Sequence, residues 1–294
     1  MTSWASRALP VLLRMTGRTR AYASADSARA HIAGRELRPQ PYGPPTRLHP
    51  DVAVEVRRRF GWPIYTVTPA SGLPCGTVVY LHGGGWVNEI STQHWQLVIQ
   101  AAHEAHVKVI VPIYPLVPFA TAAEVMPTVV QLVAEVVASG DRVYLVGDSA
   151  GGQMALSAAL LLRDEHDVVI PRTVLISPVL DLSLSNPDIA AVDDPWLGRD
   201  GLLVFADRWR GDLSLGDPRV DPLAADLRGL GALTVFSGTR DILNPDARLL
   251  VQKAGAAGVA VDYHEKPGLL HVYPLSSTPE GRAARRIIVE RLRG

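Results

Sequence analysis

The sequence predicts an α/β fold, a mostly parallel central sheet with helices on both faces. Three observations lead there. Short apolar runs such as Thr77–Leu81, Val107–Ile113 and Arg142–Val146 alternate with stretches of helical periodicity. Those runs are apolar at nearly every position, as in strands covered on both sides. With 294 residues, 47% hydrophobic and 20% charged, the chain is long and apolar enough to bury such a core as one domain.

Taken in order, residues 1–38 carry seven arginines against Asp26 and Glu36, an excess of five positive charges. Trp4, Leu9, Leu12, Leu13 and Met15 could share one apolar helix face there. A helix packed on the protein's own body is the favoured reading, docking on a membrane surface the other. The apolar run Ala8–Leu13 is too short for a signal peptide. Arg38–Pro50, with five prolines, reads as an extended connector. Alternating Val52, Val54 and Val56, then Ile64 and Val67, suggest an antiparallel strand pair. Strand Thr77–Leu81, helix Gln93–His106 and strand Val107–Ile113 follow. Thr121–Ala138 has helical spacing, with Pro127 expected to delay its start or kink it. Then come strand Arg142–Val146, helix Ala150–Leu162, strands Thr173–Ile176 and Leu233–Phe236, helix Asp246–Ala257, strand Val259–His264 and helix Glu280–Leu292. Residues 181–230 interrupt the rhythm. Together with residues 1–40 they are expected to form a helical cap over the single domain spanning 1–294.

The chemistry concentrates at two glycine-rich loops. Gly147-Asp-Ser-Ala-Gly151 joins an apolar strand to an Ala-rich helix, the context of a nucleophile elbow, and marks Ser149 as nucleophile. His82-Gly-Gly-Gly-Trp86 follows another strand, and its backbone N–H groups can face an oxyanion together with that of Ala150. His82 reads as an orienting partner for the loop. A serine hydroxyl needs a base and a carboxylate to orient that base. After Ser149, His166 reads as exposed and His264 as held inside a strand. His271, in a loop after Pro267-Gly268, is free to reach over the strand ends and is the expected base. Asp241, at a strand's carboxyl end, is the expected acid. Glu265 is a substitute, and Asp246 reads as a helix cap.

His82-Gly-Gly-Gly, Gly147-Asp-Ser-Ala-Gly-Gly152, Ser177-Pro-x-x-Asp-Leu182, Asp221-Pro-Leu223 and Gly238-x-x-Asp241 occur in one order. From about residue 75 onward the chain thereby resembles the hormone-sensitive-lipase-like branch of the α/β-hydrolases, the bacterial carboxylesterases. The resemblance implies oxyanion donors at Gly84, Gly85 and Ala150, no cofactor, and an N-terminal segment in the cap. Where many members have Tyr-Arg-Leu-Ala-Pro-Glu, this chain has Tyr114-Pro-Leu-Val-Pro118-Phe119. The structural pairing made by that Arg and Glu is therefore not carried over.

Hydrolysis of short- to medium-chain carboxylic esters through an acyl-enzyme is the leading expectation. Amide cleavage or acyl transfer by the same residues, and a ligand-binding receptor on an inactive scaffold, are the alternatives. Retention of His271 favours the enzyme. Trp86, Tyr114, Trp196 and Trp209 are candidate pocket walls. The balance of 29 basic and 29 acidic residues gives no electrostatic footprint for nucleic acid. Cys75 is the single cysteine and reads as inert. His94, His103 and His106 read as solvated helix residues, so no metal site is expected. No apolar run spans a bilayer. The expected partner is a small-molecule ester, a homodimer stays open, and the expected location is cytoplasmic with peripheral membrane association left open.

Overall fold

The computed structural model describes residues 2–17, 19–38, 40–46 and 49–293. Pro39, Arg47 and Leu48 of the expected connector lie outside the described residues, as do Met1, Arg18 and Gly294, and the connector's described part carries no helix or strand.

Eight strands form one sheet: β1 (Val52–Arg59), β2 (Trp62–Pro69), β3 (Thr77–Leu81), β4 (Lys108–Pro112), β5 (Val143–Asp148), β6 (Arg172–Ile176), β7 (Ala232–Arg240) and β8 (Val261–Leu270). They lie in the order β1-β2-β4-β3-β5-β6-β7-β8. β1 and β2 pair antiparallel, β2 joins β4 antiparallel, and every later pairing is parallel. The pleat sends alternate side chains to opposite faces. Val79, Leu81, Val143, Leu145 and Leu175 enter one core. Val78, Tyr80, Tyr144, Val146, Val174 and Ile176 enter the other. Two buried faces explain why these strands read as continuous apolar runs.

Helices α3 (Thr92–Ala105) and α8 (Pro279–Leu292) cover the second face with Trp95, Leu97, Ile288 and Leu292. Helices α4 (Ala122–Ala138), α5 (Ala150–His166) and α7 (Asn244–Ala256) cover the first. Pro127 does not delay α4. Thr121 and Glu124 form a capping box and the helix starts at Ala122, with Pro127 inside its second turn.

The remaining helices are α1 (Trp4–Met15), α2 (Ala25–Leu37) and α6 (Arg199–Arg210). α2 packs on α6, and Tyr22 meets Phe205 edge-to-face at 5.4 Å. α1 takes a different seat. Ser3 and Ser6 donate to Glu280 at the start of α8, and Thr2 reaches the Pro267 carbonyl.

Two ends differ from the sequence expectation. β7 runs on through Ser237-Gly-Thr-Arg, past the expected strand end at Phe236, and β8 runs through Pro267-Gly268 to Leu270. Between the pairs Gly238↔Lys266 and Arg240↔Leu270, β7 advances two residues while β8 advances four. Such a bulge, on an edge strand where proline costs no ladder bond, hides a strand inside a turn signature.

Candidate active site

Four strands deliver the site, and each stops one residue short of it. β3 precedes His82, β5 precedes Ser149, β7 precedes Asp241 and β8 precedes His271. These four strands run parallel, so their functional residues all gather at the carboxyl edge of the sheet.

Ser149 sits on a sharp turn with φ 53° and ψ −119°. The turn is possible because its neighbours lack side chains: a Cβ on Gly147 would stand 2.2 Å from the Gly151 carbonyl oxygen, and one on Gly151 2.0 Å from that of Leu81. Ser149 N–H donates to Ile176 O at 2.8 Å, tying the turn to β6. The Ser149 hydroxyl lies 2.9 Å from His271 Nε2, and His271 Nδ1 lies 2.9 Å from Asp241 Oδ2. A carboxylate only accepts, so Nδ1 carries the proton and Nε2 accepts from the serine. Asp241 Oδ1 accepts from Leu243 N at 3.0 Å, which fixes the carboxylate plane. All three side chains are buried.

His271 is not in a free loop. It follows β8 directly, and the next residue, Val272 at φ 46°, donates its N–H to Ser177 Oγ at 3.0 Å. The expected reach of a flexible segment is replaced by a pinned turn. His264 is held in β8 as expected, with its ring stacked on Phe236 at 4.7 Å. Glu265 is no substitute acid: it lies inside β8 and accepts from Arg248, Asn244 and Tyr263. Asp246 is not a cap either. It lies inside the first turn of α7, buried, accepting from Asn186, and burial pushes its carboxyl up to about 6.

The glycine loop is anchored by Asp148. Its Oδ1 accepts from Tyr80 Oη at 2.6 Å and from Gly83 N at 2.9 Å, and its Oδ2 lies 3.2 Å from His94 Nε2. Gly83 N–H is thereby committed. Among the described residues, the N–H groups of Gly84, Gly85 and Ala150 donate to no acceptor. Asn88 holds the next carbonyl, donating from Nδ2 to Gly84 O at 3.0 Å, while its Oδ1 accepts from His31 and Arg35 of α2. His82 donates Nδ1–H to Gly83 O at 2.7 Å and stacks on Tyr114. Burial, aided by His94, lowers its pKa to about 4. It is a neutral orienting group.

Two groups in the 181–230 segment complete the surroundings. Trp196 meets the His271 ring edge-on at 5.6 Å. Asp194 accepts from Trp196 N, Leu197 N and Ile242 N at 2.8 to 3.0 Å. Burial and then the charge of Asp241 push the Asp194 carboxyl up to about 6, against those three donors. Burial alone would lower the imidazole of His271. The charge and hydrogen bond of Asp241, with Asp194 behind them, outweigh it and hold the pKa above 6.5. A base must be unprotonated, so kcat/KM for a soluble ester is expected to fall in acid with a midpoint above 6.5. Asp194→Asn should move that limb down. An acid limb below the ordinary histidine value, measured between about pH 5 and 9, would contradict this electrostatic picture.

The other expected aromatic walls sit deeper. Trp86 and Trp209 stack at 5.9 Å, and both indole N–H groups donate to Gln153 Oε1. Tyr114 donates to His82 O. All three are fully buried and bind protein partners, so they brace the glycine loop and α6. Trp196 alone of the four is partly exposed.

His94 is buried against Asp148 and is not a solvated residue. His103 stands with His49 and Asp51 in the one group of described side chains whose ligand atoms lie close enough for a metal ion, within 4.8 Å of one another. The sequence reading missed it because the three come from the connector, the approach to β1 and α3. It belongs to the opposite end of the sheet, where α3 hands over to the start of β4. No helix among the described residues is long and apolar enough to cross a membrane.

Comparison with known proteins agrees with this geometry. A family model described as alpha/beta hydrolase fold matches residues 78–275. A triacylglycerol lipase of Mycobacterium tuberculosis is 33% identical over 225 residues, 75% of this chain and 47% of the lipase. The chain thus spans about half the length of that relative. An acetyl-hydrolase of Streptomyces hygroscopicus is 31% identical over 215 residues, 71% of this chain and 72% of the hydrolase. A solved esterase of the bacterial hormone-sensitive lipase family superposes with a TM-score of 0.78 at 27% identity, covering 97% of each chain. A hormone-sensitive lipase from a metagenome library shares the fold, with a TM-score of 0.80 at 22% identity over 98% of this chain and 97% of that one. The eight-stranded sheet, the ordering of its loops and these relatives lead to one statement: the chain belongs to the α/β-hydrolase family, in its hormone-sensitive-lipase-like branch of bacterial carboxylesterases and lipases.

Proposed function

We propose that the protein hydrolyses short- to medium-chain carboxylic esters through an acyl-enzyme on Ser149. The observation that carries this is the chain Ser149 Oγ, His271 Nε2 and Nδ1, Asp241 Oδ2, with both links at 2.9 Å. Ser149 Oγ attacks the ester carbonyl carbon and its proton passes to His271 Nε2. Asp241 stabilises the imidazolium. Negative charge on the carbonyl oxygen is met by the N–H groups of Gly84, Gly85 and Ala150 at the start of α5. Collapse breaks the ester C–O bond and the leaving alcohol takes the proton from Nε2. Water, deprotonated by the same nitrogen, then releases the acid and restores Ser149.

Residues 1–40 and 181–230 act as the cap in this reading. Support comes from α2 packed on α6, from Tyr22 and Phe205, which a Cβ on Gly85 would meet at 3.2 and 3.4 Å, and from Trp196 beside His271. α1 stands apart from that contact. The relatives named acetyl-hydrolase and triacylglycerol lipase bracket the substrate range.

The test is a chain-length series of chromogenic esters, acetate to octanoate, on the intact protein and on Trp196→Ala. The intact protein should turn over the short and medium esters. Trp196→Ala should raise KM about tenfold, roughly 1.4 kcal/mol of lost aromatic contact, with kcat changed by less than about threefold. No turnover of any member would refute the reading. An unchanged KM would remove Trp196 from the binding surface.

A further inference from the structure

The outward face of α1 is apolar. At about 100° per residue, Trp4, Ala8, Val11, Leu12 and Met15 fall within one arc of roughly 100°, and all five are exposed. Trp4 and Met15 are each 81% exposed. Diametrically opposite lie Ser6 and Leu13, the two buried residues of the helix. This inverts the ordinary arrangement, in which the apolar stripe faces the core.

The orientation is fixed. Glu280 accepts from the backbone N–H and hydroxyl of Ser3 and from the hydroxyl of Ser6. Burial would raise that carboxyl, yet these donors hold it at about 2. The Ser6 side of the helix is thus clamped inward, and the Trp4 side can only point away. Arg7 and Arg14, both exposed, border the arc along the Val11 edge.

We propose that α1 docks the protein on an anionic phospholipid bilayer, with the Trp4–Met15 arc in the headgroup–acyl boundary and the arginines on lipid phosphates. Charge favours this occupant. The whole chain is neutral, whereas α1 itself carries Arg7 and Arg14 and no carboxylate. A second copy of the same face would set those arginines against each other, while an anionic surface attracts them. Tryptophan and methionine suit the boundary, since they bury a large apolar body while the indole N–H stays near water. The inference stands independently of the ester reading, because it concerns binding alone.

The experiment is vesicle flotation of the full chain, with phosphatidylglycerol-containing and pure phosphatidylcholine vesicles. Each is compared with Trp4→Gln/Met15→Gln and with Arg7→Glu/Arg14→Glu. These positions are exposed, and circular dichroism should confirm that both variants remain folded. The intact protein should float with the anionic vesicles, at least tenfold better than with the neutral ones, and raised salt should weaken binding. Each double variant should lose at least tenfold. Absence of flotation, or flotation indifferent to both variants, would overturn the proposal. So would sedimentation showing a dimer that Trp4→Gln/Met15→Gln dissociates, with no vesicle binding: the arc would then face a second copy.

Discussion

Ser149→Ala is expected to lower kcat by about 10⁶-fold, the loss seen when a triad nucleophile is removed. The serines of the loops after β6 have partners of their own. Ser177 Oγ accepts from Val272 N, and the hydroxyls of Ser183 and Ser185 donate to Asp181. The fold should survive the change, since among the described residues the hydroxyl bonds only His271. The residual rate should be that of the oxyanion loop and binding without covalent attack. A serine-directed phosphonate should label the intact protein at Ser149, with peptide mapping to locate the adduct. Residual activity within tenfold of the intact protein, or label on another serine, would reject the assignment.

His271→Ala should cost about as much as loss of the serine, because the two act as one unit. The informative control is His264→Ala. Both histidines end up on or beside β8, yet their surroundings differ. His271 bridges Asp241 and Ser149, whereas His264 stacks on Phe236 and its Nε2 stands 2.9 Å from Asp262 Oδ1. His264→Ala should therefore keep kcat and lose stability, on the order of 2 kcal/mol for a packed ring removed from a partly buried site. Thermal melts and kcat for both variants decide it. His82 offers no rescue, since its pKa of about 4 leaves it a poor proton acceptor and its Nδ1 is bound to Gly83 O. If His264→Ala abolished turnover while His271→Ala only lowered the melting point, the roles would be reversed.

The elements legible in the sequence were those whose cause is local. The nucleophile elbow needs small residues on either side of Ser149, and the spacing of Gly147 and Gly151 records that need. Strands buried on both faces declare themselves as apolar runs. The order of Asp241 and His271 followed from chain order and strand ends. What stayed hidden depends on long-range pairing. Asp148, Tyr80 and His94 come from three elements and carry no joint motif. Asp194 and Trp196 sit in a segment without periodicity. The bulge that prolongs β8 past Pro267 and Gly268 cannot be distinguished from a turn by residue type. For α1 the amphipathic character was visible, but the expected face included Leu9 and Leu13, and Leu13 is buried. Which side of the helix faces the protein is decided by Glu280, far along the chain.

The site holds two separate responses to acid, one at Asp148 and one at His271. The buried carboxyl of Asp148 lies below the ordinary 3.8; desolvation opposes this, and His94, Tyr80 and Gly83 N–H outweigh it. A carboxyl depressed on folding contributes its full stability above the unfolded value and loses it only as pH falls through the lower folded value. The imidazole of His271 takes up its proton far earlier, above 6.5. Mild acid is thus expected to charge His271 and slow the proposed reaction while the clasp between the Ser149 strand and the glycine loop stays closed. Across that interval the rate is expected to fall before this clasp opens.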